Sequence, residues 1–195
     1  MQLITERNIA ILAVGAFGIF SVGVFCTTVL PKFVDKELMD PKPNMRPYTE
    51  QEERGRKVYL AEGCVYCHTQ QIRHLKSDQK RYGWRLVDAP PSKGWEYAYD
   101  QPHFIGTKRT GPDLARVGGK YSSEWHWSHF KNPRDLGEKF RHTSDSKLQK
   151  ASIMPSFDYL TDEQIVDLTA YIQTLGRNQN WRMDKNGNLL NDYEE

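Results

Sequence analysis

One stretch carries most of the information in this chain: Cys64-Val65-Tyr66-Cys67-His68. Two thiols three residues apart, followed at once by a histidine, are the attachment signature of a c-type haem. At the end of a helix both thiols can reach vinyl groups on one edge of a porphyrin, and the next imidazole can reach the iron. The stretch therefore predicts one covalently bound haem, attached through Cys64 and Cys67, with His68 as an axial ligand.

Three other interpretations of the cysteine pair remain open. A structural zinc site needs four Cys or His ligands, so His126 and His129 would have to join Cys64 and Cys67. The gap between these histidines is shorter than the three to five residues usual in zinc sites. A thiol oxidoreductase is expected to carry its motif after a strand, but the residues before Cys64 predict a helix. A simple disulfide without further function is the third interpretation.

The sixth iron position is predicted to be filled by Met154, which lies in a loop before the last helix. Pro155 restricts the backbone beside it and holds the sulfur in place. Methionine opposite histidine raises the reduction potential and suits electron transfer. His126 and His129 remain alternative ligands. Three further methionines beyond the membrane segment fall in a linker or in the C-terminal tail: Met39, Met45 and Met183.

The N-terminal segment predicts a membrane anchor. No charged side chain occurs between Arg7 and Lys32, and residues 9–30 are apolar or small throughout. A helix of that length is about 33 Å long, enough to span the roughly 30 Å core of a bilayer. The run exceeds the hydrophobic region of a cleaved signal peptide, and no small-residue cleavage site follows it. Residues 9–30 are therefore expected to contact lipid.

Composition and the positions of the prolines define how the rest of the chain is organised. The 195 residues carry 27 Lys and Arg against 25 Asp and Glu, a net charge of +2, so no nucleic-acid partner is expected. The length leaves room for one domain and an appendage. The predicted segments are an anchor over residues 1–31, a Pro-rich tether over 32–48, a globular domain over 49–176 and a polar tail over 177–195.

Helices are the only regular elements that the domain sequence predicts. Thr49 and Glu52 fit a capping box that opens a helix through about Glu62. A second helix, between Thr161 and Gly176, has apolar residues at steps of three and four. No run alternates as a strand would. The expected class is all-α.

A shorter helix is predicted over residues 124–130. Ser122 or Ser123 can cap it, and it ends before Pro133. Residues 75–112 are rich in turn formers and show no sustained period, so no element is predicted there.

The haem motif, the Met-Pro loop and the flanking helices together resemble a class I cytochrome c, over about residues 49–176. The resemblance implies that the first helix crosses the last one near Tyr171. It also implies that the carbonyl of Pro112 accepts a hydrogen bond from the imidazole of His68, and that Lys120 contacts a haem propionate.

Residues that line the haem are a further expectation. Tyr59 and Leu114 are candidates to keep water away from the ring, and both are equally plausible as plain core residues. Trp125, Phe157 and Tyr171 have the same two interpretations. Three arginines are candidates to neutralise propionates or to contact a partner subunit: Arg73, Arg109 and Arg116.

Three longer stretches of sequence make the resemblance more specific. They are CVYCHTQQIR at residues 64–73, GTKRTGPDLARVGGKY at 106–121 and EWH at 124–126. They resemble the monohaem membrane-anchored cytochrome c subunit (subunit II) of cbb3-type cytochrome c oxidases. Residues 135–150 depart from that pattern and are predicted to be a basic insertion, and Asp158 also stands where the pattern differs.

This resemblance implies a function without a catalytic site in the chain itself. The subunit would span the bacterial inner membrane once, with its haem domain on the periplasmic side. It would pass electrons from a dihaem cytochrome c subunit to the low-spin haem of the catalytic haem-copper subunit, which reduces oxygen to water. The alternatives are the haem c subunit of a nitric oxide reductase, a free-standing membrane cytochrome, a haem-based gas sensor and a thiol oxidoreductase.

Overall fold

The structure is a computed structural model that describes residues 8–34, 45–82, 91–134, 152–176, 182–183 and 189–190. The chain divides into two compact units, one made of residues 1–42 with 93–98 and the other of 43–92 with 99–195. The predicted insertion at 135–150 lies outside the described residues, as do most of the tether and of the C-terminal tail.

The first unit contains the predicted anchor. Helix α1 (Ile9–Val24), a π-helical turn (Phe25–Val29) and helix α2 (Leu30–Val34) follow one another without a break. Together they form a helix, Ile9–Val34, that is long and apolar enough to cross a membrane, and its apolar side chains are exposed. A short 3₁₀ turn, Gly94–Tyr97, belongs to the same unit.

The helix passes through Pro31 and continues three residues beyond the predicted end of the anchor, from Lys32 to Val34. Proline lacks an N–H, and its ring crowds the carbonyl four residues earlier. The π-helical turn over Phe25–Val29 lies directly before it. Such a turn adjusts the local hydrogen bonding, which is how membrane helices accommodate proline without ending.

The second unit is helical, which confirms the all-α class. Its helices are α3 (Glu50–Ala61), α4 (Lys76–Tyr82), α5 (Ser123–Lys131) and α6 (Asp162–Thr174), with a 3₁₀ turn at Cys64–Tyr66. In the described part of the tail, two-residue strands β1 (Arg182–Met183) and β2 (Leu189–Leu190) pair antiparallel, with Arg182 opposite Leu190.

The predicted capping residues begin the three longer helices of this unit. The Thr49 hydroxyl accepts from the backbone N–H of Glu52 at 3.3 Å, and Glu52 Oε2 accepts in return from Thr49 N–H at 2.8 Å. Thr161 and Gln164 make the same pair of bonds at 3.2 and 3.0 Å. Ser122, rather than Ser123, caps α5. These bonds confirm the predicted caps. The caps could be predicted because a capping residue and its partner lie within one turn of each other in sequence.

Helices α3 and α6 cross near Tyr171, as the resemblance implied, and Gly55 lies at the crossing. A Cβ atom at this position would lie 1.9 Å from the carbonyl oxygen of Asp167 and 2.9 Å from the Cβ of Tyr171. The backbones therefore approach too closely for any other residue. Arg54 adds an ion pair across the crossing, with Nε 2.7 Å from Asp167 Oδ2.

One hydrophobic core fills the space between these helices. Apolar side chains of α6 supply a large part of it, and residues of α3, α5 and the loops complete it. Its buried members are Tyr59, Phe104, Phe130, Phe157, Leu160, Ile165, Leu168, Tyr171, Ile172 and Leu175.

The globular part begins earlier than the predicted Thr49. Met45 is buried, and the Arg46 guanidinium forms a two-pronged ion pair with Glu52 at 2.7 Å for each bond. The Tyr48 hydroxyl donates to Asp100 Oδ1 at 2.9 Å. Proline spacing alone did not reveal these contacts, because their partners lie farther along the chain.

Helix α4 was not predicted. It is short and polar, and it lies inside the stretch whose sequence lacks a period. Its buried side chain is Asp78, whose Oδ2 accepts from the backbone N–H of Arg73 at 3.0 Å. A polar anchor of this kind leaves no apolar repeat in the sequence.

Candidate haem site

The two predicted attachment cysteines lie on a tight turn directly after α3. Gly63 ends that helix in the left-handed conformation, at φ 70°, which glycine adopts without steric cost. The turn is closed by the backbone N–H groups of Cys67 and His68, which donate to the carbonyl of Cys64 at 3.1 and 2.9 Å. Both thiols are free; Cys64 is half-buried against the core and Cys67 is exposed.

A hydrogen bond to the Pro112 loop fixes the imidazole of His68. Its Nδ1 lies 2.7 Å from the carbonyl oxygen of Pro112, the contact that the resemblance implied. A carbonyl can only accept, so Nδ1 carries the proton and Nε2 is left with its lone pair. Burial lowers the pKa of His68, although the bond to Pro112 acts in the opposite direction. Burial thus favours the neutral imidazole, the form that binds metals.

Gly111 forms a cradle for this ring. A Cβ atom there would lie 2.3 Å from Cε1 and 2.8 Å from Nε2 of His68, so a larger residue would displace the imidazole. The Gly111 N–H also donates to the carbonyl of Cys67 at 2.8 Å. The loop at Gly111 is thus joined to the haem motif by backbone and side chain together.

The predicted sixth ligand, Met154, is half-buried and packs against the same core as Cys64. Its N–H donates to Ser152 Oγ at 3.3 Å. The loop that carries it is joined to the end of α5, where the Phe157 N–H donates to the carbonyl of Phe130 at 2.9 Å. The thioether and the haem motif therefore lie on one core.

Other predicted residues have different surroundings. Leu114 is half-buried against the core. Tyr59 is 1% exposed and lies between Phe104 and Tyr171, with ring centroids 5.6 and 5.5 Å away. Lys120 is exposed, and its Nζ lies 5.2 Å from the ring centroid of the neighbouring tyrosine.

Comparison with known families identifies the chain. A sequence model described as "Cytochrome C oxidase, mono-heme subunit/FixO" matches residues 2–176. The chain belongs to this family. The resemblance seen in the sequence is thereby confirmed, and so is the assignment to a mono-haem subunit of a cytochrome oxidase complex with a catalytic oxidase partner. No curated protein matches the chain.

Family membership also gives the cofactor and the anchor in outline. A mono-haem subunit holds one haem. Members of the family are membrane-anchored, and the apolar helix Ile9–Val34 is long enough to provide the anchor. The all-α fold of the second unit agrees with a cytochrome c domain.

The residues of the mono-haem subunit fit a haem. A neutral imidazole with an available Nε2 lies one residue beyond the second of two free thiols, and a methionine packs on the same core.

Burial raises the pKa of the Cys64 thiol to about 12. Reactive cysteines have depressed pKa values, so this thiol is unsuited to disulfide exchange. Within the described ranges no group of three or more Cys, His, Asp or Glu side chains is gathered for a metal ion.

Two histidines of α5 in the mono-haem subunit lie deeper than the sequence suggested. His126 is 3% exposed, and burial lowers the pKa of both His126 and His129 to about 4. Among the residues that the structure describes, none is a hydrogen-bond partner of His126 Nε2 or of His129 Nδ1. The ring of His129 stacks on Trp125 with centroids 4.5 Å apart. The signal for this buried group in the sequence was a pair of histidines three residues apart, the first of them next to a tryptophan.

Two of the arginines expected near propionates are engaged elsewhere in the mono-haem subunit. Arg109 pairs with Asp78 and Asp113, and a guanidinium nitrogen of Arg73 donates to the carbonyl of Thr107 at 3.1 Å. Arg116 is 4% exposed. The ion pair between Arg109 and Asp78 was not foreseen because the two residues are 31 positions apart in sequence.

Proposed function

We propose that this mono-haem subunit relays single electrons through a covalently bound c-type haem. Electrons would arrive from a dihaem cytochrome c subunit and leave to the low-spin haem of the catalytic subunit, which reduces oxygen to water. The observation that carries the proposal is the hydrogen bond of 2.7 Å between His68 Nδ1 and the Pro112 carbonyl, beside the Cys64–Cys67 turn. It leaves Nε2 free and fixed in direction, as an axial ligand requires.

Each residue of the site has one role in this proposal. Cys64 and Cys67 would form the thioether links, and His68 and Met154 would hold the iron. When bound, haem supplies a one-electron couple, which His–Met ligation places at high potential. Leu114 and Tyr59 help to exclude water. No nucleophile and no proton transfer are required of the chain.

The proposed location follows from the attachment chemistry and the anchor. Residues 9–30 cross the bacterial inner membrane, and the haem domain lies on the periplasmic side, where c-type haem is attached to its protein. The flanking charges do not fix this orientation, because Arg7 on one side faces Lys32 and further basic residues on the other.

Replacement of Met154 by alanine tests the ligand assignment. The variant should keep its covalent haem, lose much of its high reduction potential and bind CO rapidly when reduced. Met45→Ala is the matched control, since Met45 is also buried in the domain but lies in the N-terminal linker. A Met154→Ala protein with unchanged potential and no CO binding would remove Met154 from the proposal.

Purification of the intact complex tests the partners. The oxidase assignment, which family membership supports, predicts that copper, b-type haems and a dihaem cytochrome c accompany the chain and that the complex consumes oxygen. Non-haem iron with nitric oxide reduction would indicate the nitric oxide reductase alternative. Rapid CO binding by the reduced native chain would indicate a gas sensor.

A further inference from the structure

A buried charge cluster lies directly beside the loop that holds His68. Its members are Asp113, Arg109 and Asp78, which we call the clamp cluster. The Asp113 side chain is 0% exposed, and it follows Pro112, whose carbonyl accepts from His68. Burying a carboxylate is costly unless its oxygens are hydrogen-bonded and paired. The burial of the Asp113 carboxylate beside the haem site therefore needs an explanation.

Asp113 joins two loops of the haem site. Its Oδ2 accepts from the Thr69 hydroxyl at 2.5 Å and from the backbone N–H of Gln71 at 2.9 Å. Its Oδ1 accepts from the N–H of Ala115 at 2.9 Å, which fixes the turn after Pro112. The residues just after His68 are therefore held against the residues that carry the Pro112 carbonyl.

Arg109 closes the same clamp from the other side. Its Nε donates to the Thr69 hydroxyl at 2.7 Å, and its Nη2 donates to the carbonyl of Gln71 at 2.7 Å and lies 3.3 Å from Asp113 Oδ2. Its Nη1 pairs with Asp78. The Arg109 side chain is 13% exposed. The clamp cluster thus holds two carboxylates and one guanidinium, all shielded from water.

We propose that Asp113 and Arg109 are positioning residues that set the His68–Pro112 hydrogen bond and, through their buried charges, tune the reduction potential of the bound haem. The inference rests on the proposed function, because it takes His68 as an axial ligand. Ferric haem carries one more positive charge than ferrous haem. A buried carboxylate nearby therefore favours the ferric state and lowers the potential, and a buried guanidinium does the opposite.

Two charge-removing variants test the inference by the sign of their effect. Asp113→Asn keeps the shape of the side chain and should shift the midpoint potential upward. Arg109→Gln should shift it downward. A purely structural role predicts one direction for both, because a loosened clamp weakens the His68–Pro112 bond and raises the potential in either variant.

A conservative variant separates charge from geometry. Arg109→Lys keeps the positive charge but lacks the planar fork that serves Thr69, Gln71 and Asp113 together. Its thermal stability should fall, and its midpoint potential should stay above that of Arg109→Gln, because the positive charge is kept. Both variants lose the planar fork of Arg109, and they differ in charge. A lower potential in Arg109→Gln than in Arg109→Lys would therefore be due to the charge, and this comparison can be made even if Asp113→Asn does not accumulate.

Matched controls come from the Arg54–Asp167 pair, which joins α3 to α6. Arg54→Gln and Asp167→Asn should lower thermal stability and leave the midpoint potential unchanged. In the full-length ferric protein, proton NMR should show a shifted His68 Nδ1 resonance in Asp113→Asn and the native resonance in Asp167→Asn.

The result expected is opposite shifts for Asp113→Asn and Arg109→Gln, measured by spectroelectrochemistry on full-length protein with covalent haem. Shifts in one direction, or no shift in either variant, would overturn the inference while leaving the proposed function intact. A native chain that lacks covalent haem would overturn the proposed function itself, and the potential measurement would then have no haem to report on.

Discussion

At the scale of single residues, the site depends on one carbonyl and one missing side chain. The Pro112 carbonyl fixes the proton of His68 on Nδ1, and Gly111 leaves the space in which the ring lies. Neither residue is a ligand. Both determine whether Nε2 points where an iron would be, so substitutions here act on the haem without touching it.

Gly111→Ala should displace the imidazole of His68. The added Cβ would lie 2.3 Å from Cε1, well inside van der Waals contact, so the ring has to move. We expect a loss of about 1–3 kcal/mol in the free energy of unfolding, and a weakened low-spin absorption spectrum. Thermal denaturation and visible spectroscopy measure the two effects. Thr110→Ala, at the exposed neighbouring position, is the control, and equal behaviour of both variants would contradict the account.

At the scale of elements, the start of α3 carries an acid-sensitive contact. Glu52 is buried; burial by itself raises its pKa, but hydrogen bonds from Arg46 and Thr49 outweigh burial and lower the pKa to about 2. The carboxylate therefore stabilises the fold above its usual pKa of 4.5. That stabilisation is lost as the pH falls from about 4.5 through 2.

Glu52→Gln should flatten this part of the acid denaturation profile. The variant should be less stable than the native domain by about 1–2 kcal/mol at pH 7, and the difference should shrink as the pH approaches 2. Urea unfolding at several pH values measures it. Glu53→Gln, one residue along the same helix, should behave as the native domain does, and a constant difference between native protein and Glu52→Gln across the range would contradict the prediction.

Local signals predicted the helices well, and distant contacts accounted for what was missed. The capping boxes at Thr49 and Thr161 each join two residues that lie within one helical turn of each other. The pairing of Arg109 with Asp78 joins residues 31 positions apart, and no periodicity marks it. Helix α4 was missed for the same reason.

The same contrast between local signals and distant contacts holds for the candidate site. The haem motif and the Pro112 loop were found because their spacing and strings are specific. The burial of His126 was not foreseen, since it depends on how α5 packs. The clamp cluster escaped notice because Asp113 and Thr69 meet only in the folded domain.

At the scale of the whole molecule, the anchor and the haem domain belong to different units and have different tasks. Helix Ile9–Val34 exposes apolar side chains along its length, as a helix in lipid does. Every residue proposed to hold haem lies in the second unit. Binding of haem and attachment to the membrane should therefore separate experimentally.

Removal of residues 1–34, with a cleavable secretion signal in their place, should give a soluble protein that keeps its haem. Its midpoint potential and visible spectrum should match those of the full chain, because no haem-binding residue is lost. Fractionation of cells without the partner subunits, followed by spectroscopy of the soluble fraction, makes the measurement. Loss of haem on removal of the anchor would contradict the division of tasks.

The central claim is that one haem is bonded to this chain through Cys64 and Cys67. Intact-mass spectrometry of the isolated full-length protein after extraction with acidified acetone tests it most directly, with Cys64→Ala/Cys67→Ala as the comparison. The account predicts a mass increase of one haem in the native chain and none in the double variant. A native chain at its bare polypeptide mass, with the pigment in the solvent, would contradict it.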